Sequence, residues 1–289
     1  MSEIAIIGTG KLGTALGYAL SRRGNRIAAL ADRNLSSANE TRRIIGEGTV
    51  FKKNVPAARL ADWVILSVPD DEIVGVAEEL AGSDIEWRGR SVFHCSGLHS
   101  TESLGPLKNR GAKTASIHPV QSFPRKKPSP EAFENIFFGL EGKGKALDEA
   151  KKIVRRLGGR YFILKPKDKP LYHTACSMAS NFLVTLLSTA TDLLEMAGLT
   201  RTAASQVLSP LVQGTLQNVK NFDAGSSLTG PLARGDEESI KAHLKALENL
   251  AEIRGLYKKL AVQTLYFARR EKLISPTAFK NLKALLEEK

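Results

Sequence analysis

Short apolar runs punctuate the chain as far as residue 165: EIAIIG (3–8), RIAALA (26–31), WVILSV (63–68), SVFHCS (91–96), KTASIH (113–118), IFFGLE (136–141) and RYFIL (160–164). Between the first five lie segments with apolar residues at helical spacing, 11–23, 35–45, 70–81 and 101–110. Continuous apolar runs alternating with amphipathic helices predict parallel strands covered on both faces by crossover helices. The pattern changes after KPKDKP (165–170), a charged stretch with two prolines. From there every periodic segment reads as helix: 171–197, 201–221, 237–254, 256–271 and 276–287. The expected fold is therefore α/β: a doubly wound parallel sheet over 1–165, then an all-helical domain over 166–289.

The first strand runs into IIGTGKLGTAL, which sets Gly8, Gly10 and Gly13 in the spacing G-x-G-x-x-G at the start of an amphipathic helix. Such glycines permit a tight turn and bring a pyrophosphate close to the free N–H groups of the helix N-terminus. Gly24 stops that helix, with Arg22 and Arg23 in its last turn. The second strand ends at Asp32, 24 residues after Gly8. Dinucleotide binding is the expectation, with Gly8, Thr9, Gly10, Lys11, Leu12 and Gly13 around the phosphates. Asp32 suits a free ribose 2′-hydroxyl and so NAD, whereas Arg33, Asn34, Ser36 and Ser37 suit a 2′-phosphate and so NADP. The residues leave that choice open.

Composition narrows the field. The 289 residues are 42% hydrophobic and 25% charged, as in a soluble globular protein. No apolar run spans a bilayer, since Asp192 and Glu195 interrupt 182–199, the nearest approach. The chain enters a strand at once, without the pattern of a signal peptide. Cys95 and Cys176 are too few for a disulfide framework, which points to a reducing cytoplasm. The net charge of +12 is scattered, its densest run being RKKP at 125–128, and aromatics are only 6%. A nucleic-acid groove would concentrate charge and add stacking rings. Small anions are the better partner.

Polar groups gather where ligands of open parallel sheets sit, beyond the strand ends. SVPDDEI (67–73), HCSGLHS (94–100) and IHPVQSFP (117–124) bring Ser96, Gly97, His118, Gln121 and Ser122 to one edge near the expected nicotinamide, with Ser67, Val68, Pro69 and Ser96 expected to contact the cofactor and Asp70 placed to cap the following helix. His94, Cys95, His99 and His118 lack the paired spacing of a metal site, and no metal is expected. A second feature is HTACSMASN (173–181), in which His173, Ser177 and Asn181 recur every four residues along roughly 12 Å of one helix face. No Lys or Arg occurs between Lys169 and Arg201, so this polar stripe fits a cleft wall better than a solvated face. In LTGPLARGD (228–236), Asp236 reads as an N-cap. Arg234 either pairs with it or receives a substrate carboxylate, and His243 lies farther along the same helix.

With GTGKLG, SVPDDEI, HCSGLHS, SIHPVQSF, YHTACSMASN and LTGPLARGD followed by KAHLKAL, residues 4 to about 260 resemble the Rossmann-like oxidoreductases that carry a helical C-terminal domain of unknown function. These are distant relatives of ketopantoate reductases, 6-phosphogluconate dehydrogenases, pyrroline-5-carboxylate reductases and deazaflavin-dependent NADP reductases. The resemblance implies a Rossmann domain, NAD or NADP as cofactor, and a helical substrate domain through which two copies form a homodimer. Better-known relatives place a catalytic lysine four residues before a helical asparagine. Here Asn181 stands at the asparagine position and Ser177 at that of the lysine, so His173 is the expected proton donor, acting through Ser177 or a water with Asn181 orienting the substrate, and His118 is its rival. Gln121, Arg234 and His243 would contact substrate. The expected activity is hydride transfer between a nicotinamide and a small carbonyl compound, first of all a ketopantoate-like 2-keto carboxylate. The alternatives are an imine or deazaflavin-linked reductase and, in another class, a non-catalytic dinucleotide sensor.

Overall fold

In the computed structural model, residues 2–126, 128–222 and 224–288 are described, so Lys127 of the basic run lies outside them. The chain forms two compact units, Met1–Phe182 and Leu183–Lys289. The first unit is built on a sheet whose described strands, in chain order, are β1 (Glu3–Ile7), β2 (Arg26–Ala31), β3 (Thr49–Phe51), β4 (Trp63–Leu66), β5 (Ser91–His94), β6 (Lys113–Pro119), β7 (Phe137–Gly142) and β8 (Arg160–Ile163). Across the sheet they run β3-β2-β1-β4-β5-β6-β7-β8. The order reverses between β1 and β4, which is where ligands of doubly wound sheets enter. The sheet is parallel-dominated as expected, except that β7 returns antiparallel to β6. Among the described residues of 120–136, which join that pair, there is no crossover helix of the kind a parallel partner needs.

Helices α1 (Lys11–Arg22), α2 (Leu35–Ile45), α3 (Asn54–Arg59), α4 (Ile73–Ala81), α5 (Gly105–Asn109) and α6 (Gly144–Arg156) cover the two faces. On one face Ile4, Ile6, Leu16, Leu20 and Phe138 pack together. On the other, Ile7, Val64, Leu66, Leu80 and Trp87 do so. Strand β3 and helix α3 had no counterpart in the periodicity, being three and six residues long. Helix α7 (Lys169–Ser177) and a π turn (Met178–Phe182) complete this unit, so its boundary falls after Phe182 rather than within the charged linker at 165–170. The reason is packing: Lys169 is buried against β6, and Tyr172 is bonded to it.

The second unit holds α8 (Leu183–Met196), α9 (Arg201–Asn221), two single turns α10 (Ala224–Ser227) and α11 (Pro231–Arg234), then α12 (Glu237–Ala246), α13 (Ala251–Arg270) and α14 (Pro276–Glu287). The expected break near Gly255 lies instead at 247–250. Ile240, Leu244, Leu265, Phe279 and Leu282 form the core of this unit from its last three helices. Helix α9 contributes almost nothing to a core: of its 21 residues only Ala204 is buried. Val207, Leu211, Leu216 and Val219 all stand more than half exposed along it.

Candidate functional site

The turn after β1 is shaped by sterics. Gly8 has φ +92°, and a Cβ there would lie 2.5 Å from the Ser67 carbonyl oxygen. A Cβ on Gly13 would lie 2.0 Å from the Gly8 carbonyl oxygen. Neither position tolerates a side chain. Gly10 is the opposite case, with nothing within 4 Å of an added Cβ. As N-cap of α1 it has no side chain to satisfy the first-turn N–H groups, and that turn carries no acidic residue. Below it the Ser67 hydroxyl is buried without a hydrogen-bond partner.

A cleft of about 410 Å³ opens here, and Gly8, Gly10, Asp32, Arg33, Ser67, Val68 and Pro69 are among its lining. Open backbone donors, a glycine facing free space and an orphaned hydroxyl are what a pyrophosphate group requires, so the residues present fit a dinucleotide. Lys11, Leu12 and Gly13 form the first turn of α1 behind the cleft. Thr9 is buried, and its N–H and hydroxyl both donate to Asp32 Oδ2 at 2.8 Å. Asp32 thus anchors the glycine turn as well as facing the cleft. Arg33 pairs with Glu72 across it, Asn34 caps α2, and Ser37 joins Thr9 and Lys126.

The neighbouring strand ends build a second cleft, of about 590 Å³, whose lining includes His118, Gln121, Ser122, Tyr172, His173, Cys176, Ser177 and Asn181. Both expected histidines are brought together, with ring centroids 5.7 Å apart and planes at 86°. They meet over Gly97: an added Cβ would lie 2.6 Å from His173 Nδ1 and 2.8 Å from His118 Nε2. A side chain there would force the two rings to move. His173 Nδ1 is buried without a hydrogen-bond partner. Tyr172 OH is 2.5 Å from His118 Nδ1. Burial, with the neighbouring His173 and Lys169, pushes His118 down to about 4, and burial raises the Tyr172 phenol. Asn181 sits in the π turn, a distortion that re-aims side chains and recurs at functional sites.

Two expectations change. Asp70 does not cap a helix; its carboxylate accepts from Ser96 Oγ at 2.8 Å. Ser96 Oγ in turn accepts from the N–H groups of Leu98 and His99. Its one donor and two acceptor sites are engaged, so Ser96 holds the turn rather than offering its hydroxyl to a cofactor.

Two residues of this region escaped the sequence reading. Tyr172 gave no signal beyond its place beside His173. Lys169 was assigned to the linker, yet it is fully buried, its Nζ donating to Ser96 O at 3.0 Å and Ser116 Oγ at 2.8 Å. Burial pushes it down to about 8, against the pull of Glu141 and Asp70. The four-residue spacing Lys169, His173, Ser177, Asn181 was the available clue. In the second unit, Asp236 caps α12 through Ser239 N–H, as expected. Arg234 lies 4.0 Å from Asp236 and stays largely exposed. His243 Nδ1 is 2.8 Å from Tyr257 OH, which engages one of its two nitrogens within that unit.

Residues 2–119 match the Rossmann-like domain family, and residues 136–264 match a domain of unknown function, DUF2520. The chain joins a Rossmann-like domain to a DUF2520 domain. Among solved structures, a presumed NADP oxidoreductase from Bacteroides fragilis is 23% identical, with a TM-score of 0.77, covering 91% of this chain and 97% of its own. A protein from Thermotoga maritima is 28% identical, with a TM-score of 0.69 and coverage of 93% and 99%. A reductive aminase from Aspergillus terreus, in complex with NADPH and ethyl-5-oxohexanoate, is 18% identical, with a TM-score of 0.62 and coverage of 99% and 93%. No curated protein matches the chain. Among the described residues, no helix is long and apolar enough to cross a membrane.

Proposed function

We propose that the protein is an NAD(P)-dependent oxidoreductase acting on a small carbonyl or imine substrate. One observation carries this reading: the glycine-built cleft opens at the ends of β1, β2 and β4, the histidine-lined cleft at the end of β6 and along α7, and the Asp70–Ser96 bond joins the turns after β4 and β5. When bound, a nicotinamide dinucleotide supplies hydride exchange; Gly8, Gly10, Asp32, Arg33 and Ser67 through Pro69 would hold it. His118, neutral near pH 7 because burial pushes it down to about 4, serves as a hydrogen-bonding group oriented by Tyr172. The proton then comes from His173, whose Nδ1 has no internal partner. Asn181, Gln121, Ser122 and Ser177 orient the substrate.

A 2-keto carboxylate is the first substrate class to test, and Arg234, largely exposed in the second unit, is the candidate carboxylate-binding side chain of that unit. A neutral carbonyl or an imine is the second, favoured because the described residues lining the histidine cleft include no Lys or Arg and because the aminase neighbour is in complex with ethyl-5-oxohexanoate, a neutral carbonyl compound. The exposed apolar row on α9 supports a homodimer formed through the helical unit. The free thiols Cys95 and Cys176 suit a reducing cytoplasm.

Calorimetry with NADPH and NADH, then nicotinamide absorbance with panels of keto acids and imines, tests the reading. Binding with turnover on either panel is expected. Binding without turnover supports a dinucleotide sensor instead, and absence of binding removes both. Sedimentation should show a dimer that Leu211→Glu dissociates; a monomeric parent refutes the dimer.

A further inference from the structure

Lys169 has no part in the chemistry just described, yet its surroundings are unusual. It is fully buried, and its ammonium donates to two neutral oxygens, Ser96 O and Ser116 Oγ. No carboxylate of the described residues stands within salt-bridge distance of it. Glu141 on β7, which with Asp70 favours the charged form of Lys169, spends its own oxygens on Thr101 N–H and Oγ1. An ammonium buried with no carboxylate in direct contact is costly, and a methionine of similar volume would fill the space without that cost. A charge retained against this cost calls for a role that only the charge fills.

We propose that Lys169 is a positioning residue: it clamps the Ser96–Gly97 turn to β6 and so fixes the floor on which His118 and His173 meet. The chain of contacts is direct. The ammonium bridges the carbonyl that begins the turn and a hydroxyl of β6, two residues before His118. Gly97, next in the turn, lies against both rings. The same charge reaches the histidines. It acts with burial to push His118 down to about 4 and His94 down to about 3. The groups facing Lys169 are Asp70 after β4, His94 and Cys95 at the end of β5, His118 on β6 and Glu141 on β7. Those facing His118 are Tyr172, His173, Lys169, Asp70 and His94. Lys169 is itself pushed down to about 8. Its clamp therefore weakens as pH rises through that value, and the constraint on the turn relaxes with it.

This proposal rests on the reading of the histidine cleft as catalytic, but its first test needs no turnover. In the parent protein, the His118 ring and Gly97 amide resonances should move with a midpoint near 8, a step that persists in Cys176→Ser and disappears in Lys169→Met. The acid-limb midpoint of His118 should also shift upward in Lys169→Met. Constancy of both parent resonances between pH 7 and 9 overturns the proposal even if Lys169→Met fails to fold. So does a folded Lys169→Met whose His118 titration is unchanged. Once a substrate is in hand, turnover should fall above about pH 8 in the parent. Lys169→Arg, which stays charged, should lack that alkaline limb while dinucleotide affinity is retained. An identical alkaline limb in Lys169→Arg contradicts the role. Absence of turnover with the resonance step intact rejects the enzymatic reading and leaves the clamp standing.

Discussion

The two clefts at the strand ends are made in different ways. The cleft under the glycine turn is a backbone object: Gly8 and Gly13 are glycine because main-chain carbonyl oxygens lie 2.5 and 2.0 Å from where a Cβ would be. The histidine cleft is a side-chain object. Its glycine, Gly97, faces two imidazoles, one of which, His118, is bonded to a phenol and feels a buried ammonium. A backbone site is rigid and tolerates few substitutions. A side-chain site keeps its fold when altered and loses its chemistry. Mutation should therefore separate the two.

The largest effect is expected in the second cleft. His173→Ala should lower turnover by about 10²–10⁴, the range of general acid–base contributions, with NADPH affinity nearly unchanged by calorimetry. Equal turnover in the variant would pass the proton-donating role to His118. Next comes the backbone cleft, where Gly13→Ala should destabilise the fold by about 3 kcal/mol in urea unfolding, since no flexible side chain can yield to the new Cβ. Gly10→Ala is the matched control: stability should hold while dinucleotide affinity falls, because its Cβ meets only the open cleft.

Acid titration gives the third test. The fold keeps His118 neutral down to about 4, whereas the unfolded chain protonates near the ordinary histidine value of 6.5. Between those two pH values the unfolded state holds more protons, so stability is full above about 6.5 and falls as pH drops toward 4. The loss from this group should be about 3 kcal/mol across the window, and His118→Gln should flatten the slope of urea midpoint against pH. The smallest effect concerns cofactor choice. Arg33→Ala should reduce NADPH affinity by about tenfold if Arg33 leaves Glu72 for a 2′-phosphate, and should leave NADH affinity unaltered. Equal loss for both would make Asp32 the main determinant.

The same contrast explains what was legible beforehand. G-x-G-x-x-G is readable because steric rules acting over a few residues leave glycine as the only choice. His173, Ser177 and Asn181 were readable as one face because helical periodicity is also local. Arg234 and His243 were legible only as residue types, and their surroundings in the second unit were not. Lys169 was misread as linker because nothing in KPKDKP distinguishes a lysine bound for solvent from one bound for β6.

The amino-acid order on its own determined the alternation of strand and helix, the phosphate-binding turn, the change to helix after residue 165 and the polar stripe from His173 to Asn181. Each depends on the chemistry of residues within a turn or two of one another. Only the tertiary structure decided that β7 runs antiparallel to β6, that Ser96 is engaged by Asp70, that Tyr172 orients His118, and that an ammonium lies beneath the turn. Those outcomes depend on which distant strand ends come to lie side by side, and on burial, which alters a charge by removing its water.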